Sequence, residues 1–322
     1  MSKKAVPQAL LDFINSGNTF LVAGHKEPDG DCISSQLVMA SLLKRLGKKA
    51  ILCSAGPFKR TEILPYKDLF VETPSEDDKV DARVFIMDCS NRERTGDLGP
   101  AIEGLPTALI DHHAGGNPYG DIVYLDPSAP SVTFMILSVF DALNQTPTKE
   151  EVELLFFGLC TDTGFFRHVD ETGFETFECA ARLIKAGANP KKSFLSMYGG
   201  KSLDSRLLMG KILSSAESFF DGRVIICTET YEENLRFGYE SRDSDNIYQL
   251  LQSVAGVEAM MIIKQETSDL CTIGLRSRDT INVADIASFF GGGGHKNASG
   301  MLFSGTIEEA KAAILDELKK IM

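Results

Sequence analysis

Apolar residues fall in two rhythms along this chain. Four short runs, at 20–24, 50–54, 84–88 and 108–111, are apolar at consecutive positions and not at alternate ones. A strand buried on both faces needs that pattern, and helix-like segments between several of the runs predict parallel pairing. The best-marked helix is predicted over 31–46. Ile33, Leu37, Ala40 and Leu43 follow roughly one face, Asp31 or Ser34 can cap the start, Lys44 and Arg45 suit the C-terminal dipole, and Gly47 stops it. Segments 131–143, 149–160 and 172–186 read as further helices, the second nearly all apolar and so central.

The rhythm breaks around 189–192. A polar helix at about 202–217 then reads as a connector. After it come a strand (223–228), a helix (245–255), two paired strands (259–265 and 270–276), a short helix (282–290), four glycines and a last helix (307–321). The expected fold class is α/β, with a parallel-sheet domain over 1–195, a connector over 196–217 and a smaller α/β domain with a mixed sheet over 218–322.

Bulk properties narrow the classes. The 322 residues are too many for one ordinary core and suit two. A hydrophobic fraction of 43% with 24% charged residues is that of a soluble globular protein. No stretch reaches the ~18 uninterrupted apolar residues of a membrane helix. The opening MSKKAVPQALLDFINSG has no apolar core or cleavage site, so it reads as an amphipathic first helix and a cytoplasmic location is expected. Seven scattered cysteines without a C-x-x-C pair indicate neither a disulfide framework nor a structural zinc site, and are expected as small buried hydrophobes. A net charge of −12, from 45 acids against 33 bases, argues against gripping long duplexes. It leaves room for a small anionic substrate where bound cations cancel aspartates locally.

The chemistry gathers where the runs end. Ligands of open parallel sheets bind beyond the carboxyl ends of the strands. The first run leads into His25, Asp29 and Asp31, the third ends in Asp88, the fourth in Asp111, His112 and His113, and Asp162 follows the apolar helix. One such acid can be a helix cap, but an apolar strand gains nothing from finishing in Asp or His-His. Imidazole with carboxylate, and no thiolate, favours Mn²⁺, Fe²⁺, Co²⁺ or Zn²⁺ over a calcium cage. Two such ions ~3.5–4 Å apart can share a carboxylate and activate a water. Gly30 between Asp29 and Asp31 lets neighbouring carboxylates address different ions, although Asp31 can also serve only as a cap. Arg167 can bind a substrate phosphate through its fork or pair with a nearby acid, and His168 reads as a surface or half-buried residue. A second segment, 275–300, carries four glycines followed by His295, Lys296 and Asn297. It reads as a phosphate or nucleotide site, or as a helix C-cap at Gly291 with a loop. It is not a P-loop, and no G-x-G-x-x-G supports a nicotinamide cofactor.

In these residues the chain resembles the DHH phosphoesterase superfamily, named for the triplet seen here as Asp111-His112-His113. HKEPDGD, FIMDCSN, IDHH and GLCTDTGFFRH look like its four motifs in order, and GGGGHKNASG like the signature of the DHH-associated C-terminal domain. Length and layout are similar to the stand-alone oligoribonuclease (nanoRNase) and 3′-phosphoadenosine-5′-phosphate (pAp) phosphatase branch. The resemblance implies two Mn²⁺ ions, one on His25, Asp29 and Asp88, the other on Asp31, Asp88, His112 and Asp162. It implies that His113 meets the scissile phosphate, Asp111 orients the site, and Arg276, Gly293, Gly294, His295 and Asn297 hold the far part of the substrate across an interdomain cleft. It implies hydrolysis of short oligoribonucleotides to mononucleotides, or of pAp to AMP and phosphate, and a homodimer by analogy. Two departures stand out: Ser34 occupies a place where relatives often carry glycine, and His168 replaces a common aromatic. Other readings are a phosphodiesterase for the linear dinucleotides pApA and pGpG, a manganese pyrophosphatase, and a nucleotide sensor without activity.

Overall fold

The computed structural model describes residues 4–278 and 280–322; Asp279, inside the second candidate segment, and the first three residues of the N-terminal segment lie outside the described residues. The chain divides into two units, Met1–Gly199 and Gly200–Met322.

The first unit runs α1 (Gln8–Ser16), β1 (Thr19–Ala23), α2 (Gly30–Arg45), β2 (Lys49–Leu52), α3 (Glu76–Lys79), β3 (Ala82–Met87), α4 (Leu98–Ala101), β4 (Thr107–Asp111), β5 (Ile122–Leu125), α5 (Val132–Ala142), α6 (Lys149–Asp162), α7 (Phe174–Lys185) and α8 (Pro190–Tyr198). Its five strands are all parallel, in the order β2-β1-β3-β4-β5. The continuous apolar runs have the predicted cause. Phe20, Val22, Phe85, Met87 and Ile110 enter one buried cluster, while their alternates Leu21, Ala23, Val84, Ile86 and Leu109 enter another on the opposite face.

Three local expectations change. Helix α2 is capped by Asp29, whose side chain accepts from Cys32 N, so Asp31 lies inside the first turn and is not the cap. The helix is buried nearly all round, including Ser34, Ser35 and Gln36, because α5 and α6 lie against it as well as the sheet. The break at 189–192 is itself a helix start: Asn189 caps and Pro190 takes the first position of α8. Strand β5 is a fifth apolar run, Ile122–Leu125, that is not among the predicted strands; of its four residues Tyr124 is fully buried.

The second unit runs α9 (Leu203–Ser214), β6 (Glu217–Phe219), β7 (Val224–Glu229), α10 (Tyr231–Phe237), α11 (Ser244–Gln252), β8 (Ala259–Thr267), β9 (Leu270–Ser277), α12 (Val283–Phe289), β10 (Gly293–His295), β11 (Ala298–Ser304) and α13 (Ile307–Leu318). The sheet order is β10-β11-β9-β8-β7-β6, mixed because β7 and β8 pair in parallel and the others antiparallel. The segment read as a connector ends as a helix at Ser214 and joins this unit's core, where Leu208 and Ile212 pack with Ile225 and Cys227. The glycine run is not an open loop throughout. Gly291 N and Gly292 N bond back to Ser288 O and Ala287 O, closing α12, and Gly293–His295 pairs with β11. Among the described residues, no helix is long and apolar enough to cross a membrane.

Candidate metal centre

Three of the five strand ends in the first unit, and the end of one helix, deliver polar residues to one place. His25 follows β1 by two residues, Asp88 follows β3 directly, Asp111 closes β4, and Asp162 is the last residue of α6. Asp88 is central. Its backbone is left-handed at φ +59°, a strained state for a non-glycine residue, while its N–H still donates to Ile110 O at 3.0 Å. The turn aims a carboxylate that is 1% exposed at three histidines: Oδ2 lies 3.5 Å from His25 Nε2, and Oδ1 lies 3.7 Å from His112 Nε2 and 3.3 Å from His113 Nδ1.

The histidine rings are oriented from behind. His25 Nδ1 is 2.8 Å from Lys26 O and His112 Nδ1 is 3.0 Å from Ala129 O. A carbonyl only accepts, so both Nδ1 atoms carry the proton, and in the neutral rings each Nε2 lone pair faces carboxylates. His112 Nε2 stands 2.9 Å from Asp162 Oδ2, yet neither atom has a hydrogen-bond partner, nor do His25 Nε2 and Asp88 Oδ1. Lone pairs converging on lone pairs, buried and unpartnered, are a repulsive arrangement unless protons or cations lie between them. The donor set therefore fits divalent cations. Single ligand atoms of Asp88, Asp111, His112 and His113 lie within 4.8 Å of one another, as do those of Asp31, His112 and Asp162.

Electrostatics agree. Burial, then the charges of Asp29, Asp31 and Asp162, push the Asp88 carboxyl well above the ordinary range. Burial and Asp162 raise Asp31 to about 7. Burial opposes charge on His112, but the adjoining Asp162 outweighs it and lifts the ring to about 9, whereas burial lowers His25. The site thus holds protons where cations would replace them.

The remaining residues divide by what they touch. Asp29 spends Oδ1 on Cys32 N, and its Oδ2 lies 3.9 Å from His25 Nε2. Asp31 accepts from Val132 N at 2.6 Å and from Thr133 N and Oγ1 at 3.1 and 2.7 Å, so it also anchors the start of α5. Asp111 accepts from His112 N, His113 N and His113 Nδ1 at 2.6, 3.0 and 2.7 Å and from Ser90 Oγ. Burial would raise Asp111, but the bonds from His113 and Ser90 hold it down at about 2. Sequence reasoning missed Ser90 and Thr133, whereas Cys32 is visible in the sequence as a cysteine beside the proposed ligand Asp31. Ser90 was visible only as a neighbour of Asp88, and Thr133 comes from a distant helix.

Arg167 is exposed; its Nε donates to Gly164 O at 2.9 Å and Nη2 to Tyr198 OH at 3.1 Å. His168 is exposed, its ring filling the space beside Gly164. In the second unit, Ala298 pairs with both Arg276 and His295, which brings those two onto one face of the sheet. The Arg276 guanidinium lies over the Tyr248 ring at 4.7 Å, 3.8 Å from Asp245. Beside the position a Gly293 side chain would take there is open space, whereas Gly294, at φ +144°, backs onto Ala298 O. The Asn297 carbonyl accepts from Ser277 N at 3.0 Å.

Residues 19–159 match the DHH family, N-terminal domain, and residues 221–322 match the DHHA1 domain. The chain is 29% identical over 300 residues to the bifunctional oligoribonuclease and PAP phosphatase NrnA of Thermus thermophilus, spanning 93% of this chain and 89% of the relative. It is 27% identical over 310 residues to the protein of the same name from Bacillus subtilis, spanning 90% and 91%. In fold it resembles an exopolyphosphatase-related protein from Bacteroides fragilis, with a TM-score of 0.80 at 23% identity over 99% of this chain and 98% of that one. The two domain matches together take in most of the chain, which belongs to the DHH family of phosphoesterases and carries a DHHA1 domain behind its DHH domain.

Proposed function

We propose that this protein hydrolyses short oligoribonucleotides to mononucleotides and pAp to AMP and phosphate, using two divalent cations, Mn²⁺ by preference of the family. The observation that carries the reading is the ring of buried, unpartnered ligand atoms on His25, Asp88, His112 and Asp162. The names and near full-length match of the Thermus and Bacillus relatives support the substrate class. His25, Asp29 and Asp88 would hold one cation, and Asp31, Asp88, His112 and Asp162 the other. When bound, the pair supplies an activated water and offsets charge developing on phosphorus. Asp111 anchors the Nδ1 side of the His113 ring, leaving Nε2 to meet a phosphoryl oxygen. Arg167 offers a guanidinium to a substrate phosphate. Arg276, Gly293, Gly294, His295 and Asn297 form the second contact region, in which side-chain-free strand backbone lies beside a cation and an imidazole.

The test is turnover of pAp, pApA, pGpG, a five-nucleotide RNA and pyrophosphate with added Mn²⁺. Release of mononucleotide or of phosphate from pAp is expected, with losses beyond about 100-fold in Asp88→Ala and His112→Ala, since even residues behind the ligands commonly contribute 10–100-fold. Turnover of pyrophosphate alone, or activity that survives both substitutions, would overturn the reading.

A further inference from the structure

Cys32 follows Asp31 in the sequence, and the fold brings its sulfur beside His25 and Asp88. We propose that Cys32 is a metal ligand at the His25–Asp88 end of the centre, and that this position prefers a thiophilic cation such as Zn²⁺, Co²⁺ or Fe²⁺ over Mn²⁺. The inference rests on the two-cation reading above and concerns which ion one of its positions takes.

Cys32 Sγ, one ring nitrogen of His25 and one carboxylate oxygen of Asp88 all lie within 4.8 Å of one another. With metal–sulfur and metal–nitrogen bonds of ~2.3 and ~2.0 Å, small side-chain shifts bring such a trio onto one ion. His25 supports the position independently, because its Nε2 is buried, lacks a hydrogen-bond partner and lies 3.5 Å from Asp88 Oδ2. The thiol is held in place from three directions. Cys32 N is bound by Asp29 Oδ1 at 3.0 Å, which fixes the first turn of α2. Gln36 Nε2 donates to Val22 O and Cys53 O at 2.9 Å each, and this turns Gln36 Oε1 toward Cys32 Sγ at 3.6 Å. The S–H is thus given to Gln36. Gly24, just before His25, leaves room for the sulfur: a Cβ there would sit 2.3 Å from Sγ. Other thiols in the unit face elsewhere, Cys89 toward Asn91 O at 3.3 Å and Cys53 toward Ile51 O at 3.8 Å. Among the described residues, Cys32 is the cysteine that joins a three-residue ligand group.

Ligation replaces the S–H bond by a sulfur–metal bond. The proton leaves to the buffer, and no oxidation state changes. A thiolate raises affinity for soft and borderline ions and does little for Mn²⁺.

The experiment is reconstitution of the metal-depleted full chain with Co²⁺, read by absorption, for wild type, Cys32→Ala, Cys32→Ser and Cys89→Ala. A near-ultraviolet sulfur-to-cobalt band is expected in wild type and Cys89→Ala and absent in both Cys32 variants. All four should still show the visible cobalt bands, and Cys32→Ser keeps nearly the native volume should the alanine variant fold poorly. Competition between Zn²⁺ and Mn²⁺ should shift toward Mn²⁺ by at least about tenfold in Cys32→Ser. Two bound Co²⁺ ions without a sulfur band in wild type, or a band that survives in Cys32→Ser, would overturn Cys32 as a ligand and leave the two-cation reading standing. Failure to bind Co²⁺ at all would bring down both.

Discussion

Asp88 pairs a left-handed backbone at φ +59° with a buried carboxylate facing other carboxylates. Both features cost stability, the backbone alone on the order of 1–3 kcal/mol, and both serve to aim one side chain at three histidines. Asn tolerates the same backbone and carries no charge. Asp88→Asn is therefore expected to raise the melting temperature of the metal-free protein while removing metal binding, as read by thermal denaturation and calorimetric titration. A lower melting point would contradict the account of strain and repulsion. Asp111 acts one layer back. Its bonds to His113 and Ser90 orient the ring, so Asp111→Asn should reduce turnover by about 10- to 100-fold while calorimetry still finds cations bound.

At the scale of elements, the site depends on how closely α2, α5 and α6 approach. A Cβ at Gly30 would meet Thr161 of α6 at 2.4 Å, and one at Gly158 would meet Thr133 Cγ2 at 2.5 Å and Asp31 Oδ1 at 2.8 Å. Helix propensity alone says Gly158→Ala stabilises by ~1 kcal/mol. The contact says otherwise, because the methyl would push the carboxylate that anchors α5. A net loss of roughly 1–3 kcal/mol is expected in a urea melt, with weaker metal affinity; a stabilised variant would show that the helices can part freely. Element boundaries were legible where apolar periodicity and caps coincided, as in α5 behind Ser131 and α6 behind Thr148. They were lost where the decisive contact is tertiary. Ser34, which the sequence offers as a cap, lies inside α2 and is buried with Ser35 and Gln36, where α5 and α6 lie against the helix. The glycine run looked like a loop because β10 is three residues long and its glycines carry no side-chain signal.

For the whole molecule, the centre links metal, protons and stability. Asp31 is raised to about 7, His112 to about 9, and Asp88 is raised as well. A group whose folded value lies above its unfolded one stabilises at low pH, and that contribution is lost as pH rises through the folded value. Asp31 therefore withdraws stability on rising from about 4 to about 7, and His112 from its ordinary 6.5 to about 9. His25, lowered by burial, works in the opposite direction. Cations held at the proposed centre would replace those protons, so the rise in melting temperature on adding Mn²⁺ should be larger near about pH 8.5 than near about pH 6. A pH-independent rise would mean that the ions bind elsewhere.

The sequence by itself determined the two-part α/β layout, the parallel strands and the residue types waiting at their ends, because buried strands and helix caps write themselves in local pattern. Strand ends in Asp88 and Asp111-His112-His113 were legible because an apolar strand has no structural use for them. Only the tertiary structure decided which atoms face each other. The left-handed turn at Asp88, the anchoring of α5 by Asp31, the bond from Ser90 to Asp111 and the sulfur of Cys32 beside His25 join residues whose neighbourhood arises from packing. Spacing along a chain carries no record of such convergence, because the distance between side chains on different elements is set by how closely their backbones pack.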